Sequence, residues 1–258
     1  MIDHDNTTHF GFRKIPIAEK AGRVAEVFHN VANKYDVMND LMSLGTHRLF
    51  KQMAVEYTAA RRGHIILDLA GGTGDFAIKL SRVVGESGQV ILCDINDAML
   101  TQGRDRLLNN GIHSNVGYLQ ADGEQLPFEN DQFNAVTIGF GLRNFTDKQG
   151  AIESCLRVLK PGGKLVILEF SKPENPVVRK LYGVFSNLWP RIGEIVTGDK
   201  DSYQYLVESI KMHPPQQELC SMMEAAGYQG VQYHNLLNGV VAIHVGSKRT
   251  QGTIDETD

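Results

Sequence analysis

The chain has 258 residues, of which 42% are hydrophobic and 22% are charged. This length suits one α/β domain with appended helices, and the composition excludes collagenous, low-complexity and coiled-coil chains. The formal net charge of −4, from 26 basic and 30 acidic residues, excludes a polycation that wraps nucleic acid. No apolar run approaches the roughly 20 residues that span a bilayer.

The first residues and the cysteines indicate a cellular compartment. Residues 1–13 are polar and lack the apolar core of a secretory signal. The three cysteines, Cys93, Cys155 and Cys220, are odd in number and share no metal-ligand spacing. We therefore expect a protein of the reducing cytoplasm, without disulfides and without a metal site.

The N-terminal part, residues 1–60, is predicted to be a helical cap. Apolar residues recur at helical spacing from about residue 18. A stretch rich in Asn and Asp, residues 33–40, interrupts the pattern, and a second helix is predicted from about Thr46.

The segment 61–172 then alternates short apolar runs with helical patterns. The predicted strands are 65–69, 90–94, 116–120, 135–138 and 164–170. The predicted helices follow the glycine loop at about 76–80 and cover 98–109 and 149–159, and residues 160–163 are predicted to form a turn. Strands that are apolar on both faces and alternate with helices predict a parallel sheet covered on both sides.

The remaining chain is predicted to complete this core. Residues 173–215, rich in aromatic residues, are predicted to be a helical insertion that covers the substrate, followed by a helix at 216–226. Two closely spaced strands near 231–235 and 240–245 predict an antiparallel hairpin at a sheet edge, within a completing segment 216–247. The polar tail 248–258 is predicted to be disordered.

The first predicted strand ends in a glycine loop, Gly71-Gly72-Thr73-Gly74. Open α/β sheets bind ligands beyond the carboxyl ends of their strands, and glycines allow a ligand to approach the backbone. The loop satisfies the dinucleotide fingerprint, and Asp94 lies where an acid binds a ribose diol, so this pair alone does not distinguish NAD from other nucleosides.

Two acids beside the loop favour a cationic ligand. Asp68 lies inside the first strand and Asp75 opens the next helix, so a pyrophosphate at this helix end would face a like charge. S-adenosylmethionine carries an ammonium and a sulfonium group and no phosphate. The alternative is that Asp75 only complements the helix dipole.

The loop after the third strand is the second candidate contact. Asp122 could accept a hydrogen bond from an adenine amino group, with the apolar Leu126-Pro127-Phe128 close behind as a wall against the ring. The alternative for Asp122 is an Asx turn.

Several motifs together resemble a known family. Asp68-Leu-Ala-Gly-Gly-Thr-Gly-Asp75, Asp94 and Asp122 resemble class I S-adenosylmethionine-dependent methyltransferases. Two longer stretches, Tyr35 to His47 and Arg157 to Ser171, resemble the two signatures of the ubiquinone/menaquinone biosynthesis C-methyltransferases. The motifs Gly141-Leu-Arg143-Asn144 and Asp201 to Pro214 are also similar to that family.

The chain departs from the family pattern at two positions. The first signature usually ends in Trp, where this chain has Phe50, which keeps an aromatic wall and loses an indole donor. The family often has Ser where this chain has Gly139, so the backbone would have to make any cofactor contact there.

The resemblance implies a fold, a cofactor and a substrate. The fold is a seven-stranded Rossmann-like α/β sheet whose last strand is antiparallel. The cofactor is S-adenosyl-L-methionine, and the substrates are polyprenyl quinols, namely demethylmenaquinol and 2-methoxy-6-polyprenyl-1,4-benzoquinol. The expected cofactor-binding residues are Asp68, Gly72, Thr73, Gly74, Asp94, Asp122, Gly123 and Gly139.

Methylation of a ring carbon requires a nearby oxygen to lose its proton, so the site needs a base or donors that stabilise a phenolate. Arg143 and Asn144 follow the fourth strand, and we expect them to hold the quinol oxygen, although Arg143 could instead pair with a nearby Asp. His47 is the first candidate base and His213 the second, each with a structural role as the alternative.

Tyrosines and an apolar helix complete the predicted substrate site. We expect Tyr35 to close over the methionine end of the cofactor, and Tyr203, Tyr205 and His213 to line the quinol pocket, with ordinary core packing as the alternative for the two later tyrosines. The segment 181–196 is amphipathic and fits either a polyprenyl tail and the membrane or a lid packed on the core.

The expected partners are thus a quinol, the inner face of a membrane by peripheral contact, a quinone-synthesis complex or a second copy of the chain, and no nucleic acid. Four alternatives stay open: a nicotinamide oxidoreductase, a methyltransferase for another small molecule, one for a sterol, and a non-catalytic methyltransferase-like subunit.

Overall fold

The structure is a computed structural model that describes residues 6–31, 45–197 and 200–250. Its centre is a seven-stranded sheet with the order β5-β4-β3-β6-β7-β9-β8. The strands are β3 (Ile65–Leu69), β4 (Gln89–Asp94), β5 (Val116–Gln120), β6 (Phe133–Gly139), β7 (Leu159–Phe170), β8 (Gln229–Leu236) and β9 (Val241–Ser247). The five strands β3 to β7 pair in parallel, whereas β9 is antiparallel to both β7 and β8.

Helices cover both faces of this sheet. They are α1 (Ile17–Val31), α2 (His47–Tyr57), α3 (Asp75–Val84), α4 (Asp97–Asn109), α5 (Lys148–Val158), α6 (Pro176–Thr197), α7 (Lys200–Met212) and α8 (Gln216–Ala226). Side chains of α2, α3 and α4 share one buried apolar cluster with the sheet, and those of α5 and α8 share the other. The central strands are buried on both faces, which explains why they appear in the sequence as continuous apolar runs.

The predicted sheet, its C-terminal hairpin and its helical insertion are confirmed. Three details differ. The first is an additional hairpin, β1 (Thr7–Phe10) with β2 (Arg13–Pro16), in a polar stretch that was predicted to belong to the helical cap 1–60. This hairpin is anchored to α7, because the N–H of Phe12 donates to the Glu208 carboxylate at 3.0 Å.

The second difference concerns the turn predicted at residues 160–163, which lies inside β7. Phe133 of β6 pairs with Leu159, whereas Ala135, two residues later, pairs with Lys164. The register between β6 and β7 therefore shifts here, and the turn residues form an irregularity within a continuous strand. The backbone of Gly162 donates to the Lys248 carbonyl at 3.0 Å, and the N–H of Lys248 donates to the Gly163 carbonyl at 2.8 Å. These two hydrogen bonds with Lys248, the residue that follows β9, hold the turn in the sheet.

The same contacts correct the start of the tail. Lys248 was expected to be disordered, but its ammonium group also pairs with the Asp131 carboxylate at 2.7 Å. The tail residues beyond Thr250 lie outside the described part of the chain.

Candidate functional site

A cavity of about 290 Å³ lies at the carboxyl ends of β3, β4, β5 and β6. This is the edge where an open α/β sheet binds its ligand. Residues of α1 form one wall, namely Ile17, Ala18, Ala21, Val24 and Ala25. The loops after the four strands supply the rest, including Gly72, Asp94, Asp122, Gly123, Phe140 and Asn144.

The described charged residues that line the cavity are all acidic. Asp94, Asp122 and Glu124 line it, and none of the described lining residues is a lysine, an arginine or a histidine. A polyphosphate in such a cavity would meet three carboxylates and no basic side chain among the described lining residues. The lining therefore favours a cationic ligand over a pyrophosphate.

Asp94 ends β4 and connects the glycine loop to the start of α4. Its Oδ2 accepts a hydrogen bond from the N–H of Gly72 at 2.9 Å, and its Oδ1 accepts one from the N–H of Asn96 at 3.0 Å. Burial raises the pKa of this carboxyl, and the hydrogen bonds from Asn96 and Gly72 oppose the rise. Each oxygen of a carboxylate accepts about two hydrogen bonds, so both retain acceptor capacity toward the cavity, as a diol requires.

Asp122 forms the Asx turn that the sequence offered as the alternative, and it also lines the cavity. Its Oδ1 accepts from the N–H of Glu124 at 2.9 Å, which is the Asx turn, and its side chain also lines the cavity. Glu124 in turn accepts from the N–H groups of Thr146 and Asp147, at 2.6 and 3.1 Å. The loop after β5 is thereby fixed to the segment after β6.

The glycine loop has the geometry of a tight strand-to-helix turn. Gly74 caps α3 in a left-handed conformation with φ +81°, which an L side chain adopts only with strain. Thr73 is buried and does not line the cavity, because its hydroxyl and carbonyl oxygens accept hydrogen bonds from the Arg106 guanidinium of α4, at 2.7 and 3.0 Å. Of the loop residues, Gly72 lines the cavity.

Asp68 does not line the cavity. Its oxygens accept hydrogen bonds from the N–H of Ala77 at 3.1 Å and from the Thr137 hydroxyl at 2.9 Å, so that it joins β3 to α3 and β6. Burial raises the pKa of this carboxyl to about 7, although the hydrogen bond from Thr137 opposes the rise. Asp68 therefore links the strand before the glycine loop to the helix after it.

Asp75 is also turned away from a ligand, which corrects the electrostatic argument made from its sequence position. Its carboxylate pairs with Lys51 of α2 at 2.5 Å and with Arg106 at 2.8 Å. Burial alone would raise its pKa, but the charges and hydrogen bonds of these two partners lower it to about 2. The acidity that a ligand meets comes instead from Asp94, Asp122 and Glu124.

Gly139 ends β6 and does not line the cavity. A Cβ atom at this position would lie 2.4 Å from the ring of Phe76. The Phe76 ring thus occupies the space in which the serine expected from the family would place its side chain. Glycine at position 139, where the family often has serine, is therefore matched by the packing of Phe76 in this chain.

Arg143 is buried and ion-paired. Its Nη1 donates to Glu169 Oε1 at 2.8 Å and to the carbonyl of Phe140, and its backbone N–H donates to Glu169 Oε2 at 3.2 Å. The guanidinium carbon lies 5.6 Å from the centre of the Phe170 ring. The structure thus pairs Arg143 with an acid, Glu169 of β7, which the sequence analysis did not single out.

Asn144 does line the cavity, next to Arg143 in the short 3₁₀ turn Leu142–Asn144. Its Oδ1 accepts a hydrogen bond from the Tyr205 hydroxyl of α7 at 3.1 Å, and the Tyr205 ring stacks on Phe10 with 4.3 Å between ring centres. Burial raises the Tyr205 pKa above its ordinary value, against the effect of the Arg143 charge. Tyr205 therefore stays a protonated donor, and it orients the amide of Asn144 so that Nδ2 is free of partners among the described residues.

The other predicted residues lie away from the cavity lining. His47 is buried at the start of α2, and Tyr203 is fully buried in the apolar cluster on the α2 side of the sheet. His213 is buried just after α7, where burial and then the charges of Lys148 and Arg143 lower its pKa well below the ordinary value. Tyr35 lies outside the described residues.

A second cavity of about 230 Å³ lies beneath α6 and α7. Its wall includes Ser171, Tyr182, Trp189, Val207 and Ile210, and its lining is mostly apolar. The charge of Arg143 acts on both Tyr182 of this cavity and Tyr205 beside the first.

Sequence reasoning missed the part of the cavity lining formed by Glu124 and α1. It also missed Lys20, which does not line the cavity but whose ammonium group donates to the Phe145 carbonyl at 3.0 Å. Glu124 lies two residues after Asp122 and offered a signal as a second acid. No signal identified Lys20, because its partner is a backbone atom 125 residues away.

Comparisons with known proteins agree with this geometry. Solved structures of similar fold include a SAM-dependent methyltransferase from Aquifex aeolicus, with a TM-score of 0.58 and 18% identity over 82% of this chain and 96% of that one. An O-methyltransferase family protein from Burkholderia thailandensis has a TM-score of 0.62 and 17% identity over 84% of this chain and 59% of that one. At such low identity these structures show the fold alone.

Sequence relatives are much closer. The ubiquinone/menaquinone biosynthesis C-methyltransferase UbiE of Azotobacter vinelandii is 55% identical, over 95% of this chain and 97% of its own length. The protein of the same name from Stutzerimonas stutzeri is 56% identical, over 95% of this chain and 96% of its own length. The model of the ubiE/COQ5 methyltransferase family matches residues 17–248. The resemblance found in the two signatures is therefore confirmed, and this chain belongs to the ubiE/COQ5 methyltransferase family.

Proposed function

We propose that the chain methylates a ring carbon of polyprenyl quinols in ubiquinone and menaquinone biosynthesis, with S-adenosylmethionine held in the first cavity. The observation that carries the proposal is the lining of that cavity, which has three carboxylates and no described basic residue. The substrate class comes from the names of the relatives.

The residues of the cavity fit this cofactor. Asp94 offers two acceptor oxygens for a ribose diol, and Gly72 presents its backbone beside them. Asp122 and Gly123 face the same space from the loop after β5, where an adenine amino group would find an acceptor. When bound, the cofactor supplies a methyl group on a sulfonium, an activated electrophile. Asp68, Thr73, Gly74 and Gly139 support the walls of the cavity without lining it.

Asn144 is the best placed group for the acceptor oxygen. Tyr205 occupies its Oδ1, so the amide hydrogens are available to donate to a quinol oxygen and to stabilise its anion. Arg143 fixes the turn that carries Asn144 by donating to the Phe140 carbonyl and to Glu169. We therefore assign Arg143 a positioning role, because its charge is already compensated by the Glu169 carboxylate.

The apolar parts of the molecule fit a polyprenyl tail. The second cavity is mostly apolar, and α6 exposes Val177, Leu181, Val184 and Leu188. These four positions recur along one face of the helix, as in helices that lie in a membrane interface. We infer that the tail runs through the second cavity and that this face contacts the lipid. No helix in the described ranges is long and apolar enough to cross a membrane.

Calorimetric titration with S-adenosylhomocysteine tests the cofactor site. Replacing Asp94 by Asn should weaken binding about 10- to 100-fold, because the amide has one acceptor oxygen where the carboxylate has two. Asp105→Asn is the matched control, since Asp105 is exposed on α4 and pairs only with Arg104 in the described structure. Unchanged affinity of the Asp94 variant, or tighter binding of NAD by the unaltered chain, would overturn the assignment.

A further inference from the structure

Lys20 of α1 is a buried lysine beside the cavity whose ammonium group has a single hydrogen-bond partner in the described structure. Its side chain is 4% exposed, and its Nζ donates to the carbonyl oxygen of Phe145 at 3.0 Å. Phe145 follows the turn that carries Asn144, and both residues line the cavity. The contact therefore ties α1 to the segment that bears the proposed quinol contact.

A second ammonium group shares this carbonyl oxygen. Lys148, the first residue of α5, also donates to it at 3.0 Å, so the two nitrogens are at most twice that distance apart. Lys20 forms no ion pair with any described residue, because the nearby Glu124 carboxylate accepts from the backbone of Thr146 and Asp147 instead. Burial first, and then the charge of Lys148, lower the pKa of Lys20 to about 8, against the opposing effect of Glu124.

The helix that Lys20 holds forms one wall of the cavity. Ala18 and Ala21, on either side of Lys20 in the sequence, both line it. The C-terminal half of α1 is fastened separately, because the Asn96 side chain donates to the Ala25 carbonyl at 3.1 Å. At the start of the helix the N–H of Ile17 donates to the Asn6 carbonyl at 3.1 Å. Lys20 is thus the side-chain fastening of the N-terminal half of this wall among the described contacts, and its strength depends on a charge.

We propose that Lys20 is a positioning residue for the methyl transfer. Through the Phe145 carbonyl it fastens α1 over the cavity and fixes the segment that carries Asn144. A charged donor makes a stronger hydrogen bond than a neutral one, so the fastening weakens when Lys20 loses its proton. The proposal rests on the proposed function, which supplies the reaction and the ligand used in the test.

The ionisation of Lys20 gives the proposal a signature that simple packing would lack. The charged groups that face it are Lys148 from α5 and Glu124 from the loop after β5. Removing the positive charge of Lys148 should raise the pKa of Lys20 and extend tight ligand binding to higher pH. Replacing Lys20 by Arg should remove the pH dependence, because a guanidinium keeps its charge.

The experiment measures the affinity of the full chain for S-adenosylhomocysteine by calorimetry at pH 7 and at pH 9. The variants are Lys20→Met, Lys20→Arg and Lys148→Met, and Lys79→Met on α3 is the matched control because its Nζ donates to Gln52 away from the cavity. The titration of the ligand itself is common to all variants and cancels in their ratios. Hydrogen exchange of residues 17–31 without ligand reports the fastening of α1 independently.

We expect Lys20→Met to weaken binding at pH 7 about tenfold and to speed exchange in α1, with Lys20→Arg close to the unaltered chain at both pH values. Lys148→Met should lose less affinity than the unaltered chain between pH 7 and pH 9. Unchanged affinity and exchange in Lys20→Met, or an equal loss in Lys148→Met at pH 7, would overturn the proposal. If the unaltered chain does not bind the ligand at all, the proposed function fails, and the exchange of α1 still decides the role of Lys20.

Discussion

At the scale of residues, the carboxylates around the glycine loop have two different roles. Asp94 and Asp122 face the cavity, whereas Asp68 and Asp75 face the protein and hold strands and helices together. Their order in the sequence does not separate these roles, because the partners of Asp75 come from α2 and α4 and lie far from it in the chain. Burial and hydrogen bonding distinguish them in the structure.

The raised pKa of Asp68 predicts that the stability of the protein depends on pH. Its pKa is raised to about 7 in the folded protein, above the value near 3.8 of an unfolded chain. The folded state thus binds more protons between these values, so Asp68 lowers the free energy of unfolding as the pH rises from about 4 to above 7. Chemical denaturation of Asp68→Asn should show a smaller fall over this range and a loss of about 1–3 kcal/mol at pH 5 from the disturbed hydrogen bonds. A pH dependence identical to that of the unaltered chain would show that Asp68 is not the titrating group.

The close approach of the Phe76 ring to Gly139 predicts that substitutions at these two positions have coupled effects on stability. Gly139→Ser should lower the free energy of unfolding by about 1–3 kcal/mol, because the new Cβ would meet the Phe76 ring at 2.4 Å. Phe76→Leu in the same chain should restore part of that loss by opening the space. The check is a double-mutant cycle measured by thermal or denaturant unfolding. Simple additivity of the two changes would refute the packing explanation.

At the scale of elements, the sequence predicts best where one apolar run makes one buried strand. The strand at 65–69 lies where the pattern places it, because it is a buried apolar run followed by the glycine loop. The strand at 116–120 also lies where it was predicted, although it is a partly exposed edge strand. The hairpin β1–β2 could not be found in this way, since it packs through the backbone of Phe12 against Glu208 of α7. The pairing of Arg143 with Glu169 likewise depends on the adjacency of β6 and β7, which the strand pattern alone leaves open.

The contact between α7 and the turn Leu142–Asn144 predicts a catalytic effect without a large structural one. Tyr205→Phe removes the hydroxyl that donates to Asn144 and keeps the ring that stacks on Phe10. We expect the turnover number to fall several-fold, up to about tenfold, with little change in cofactor affinity. Steady-state kinetics with a quinol substrate and calorimetry with S-adenosylhomocysteine measure the two effects. An unchanged turnover number would exclude Tyr205 from orienting the Asn144 amide.

At the scale of the whole molecule, the acidic cavity and the apolar cavity are separate and share no lining residue in the described part of the chain. The first cavity is acidic and suits a charged cofactor, whereas the second cavity and the exposed face of α6 suit a hydrocarbon chain. Trp189 lies in the segment 181–196, for which the sequence left a tail contact and a lid as alternatives; it is 3% exposed, lines the second cavity and packs edge-on against Phe185. Variants that test the lipid contact should therefore spare it.

The exposed face of α6 predicts binding to lipid vesicles. A double variant with Gln at Leu181 and Leu188 should bind anionic phospholipid vesicles several-fold more weakly, because both leucines are exposed and would contribute buried apolar area in the lipid. Leu108→Gln on α4 is the matched control, since Leu108 is similarly exposed on another surface. Vesicle sedimentation measures binding, and the double variant should lose more activity on long-tailed than on short-tailed quinols. Equal vesicle binding by all forms would contradict a lipid contact at α6.

The most direct test of the account follows the methyl group itself. The unaltered chain is incubated with S-adenosylmethionine labelled in its methyl group and, in parallel, with demethylmenaquinol and with a 2-methoxy-6-polyprenyl-1,4-benzoquinol. Mass spectrometry and NMR of the product locate the label. The account predicts label on a ring carbon of the quinol and loss of that product in Asp94→Asn. Label on a quinol oxygen, or no transfer to either quinol by a chain that binds the cofactor, would contradict it.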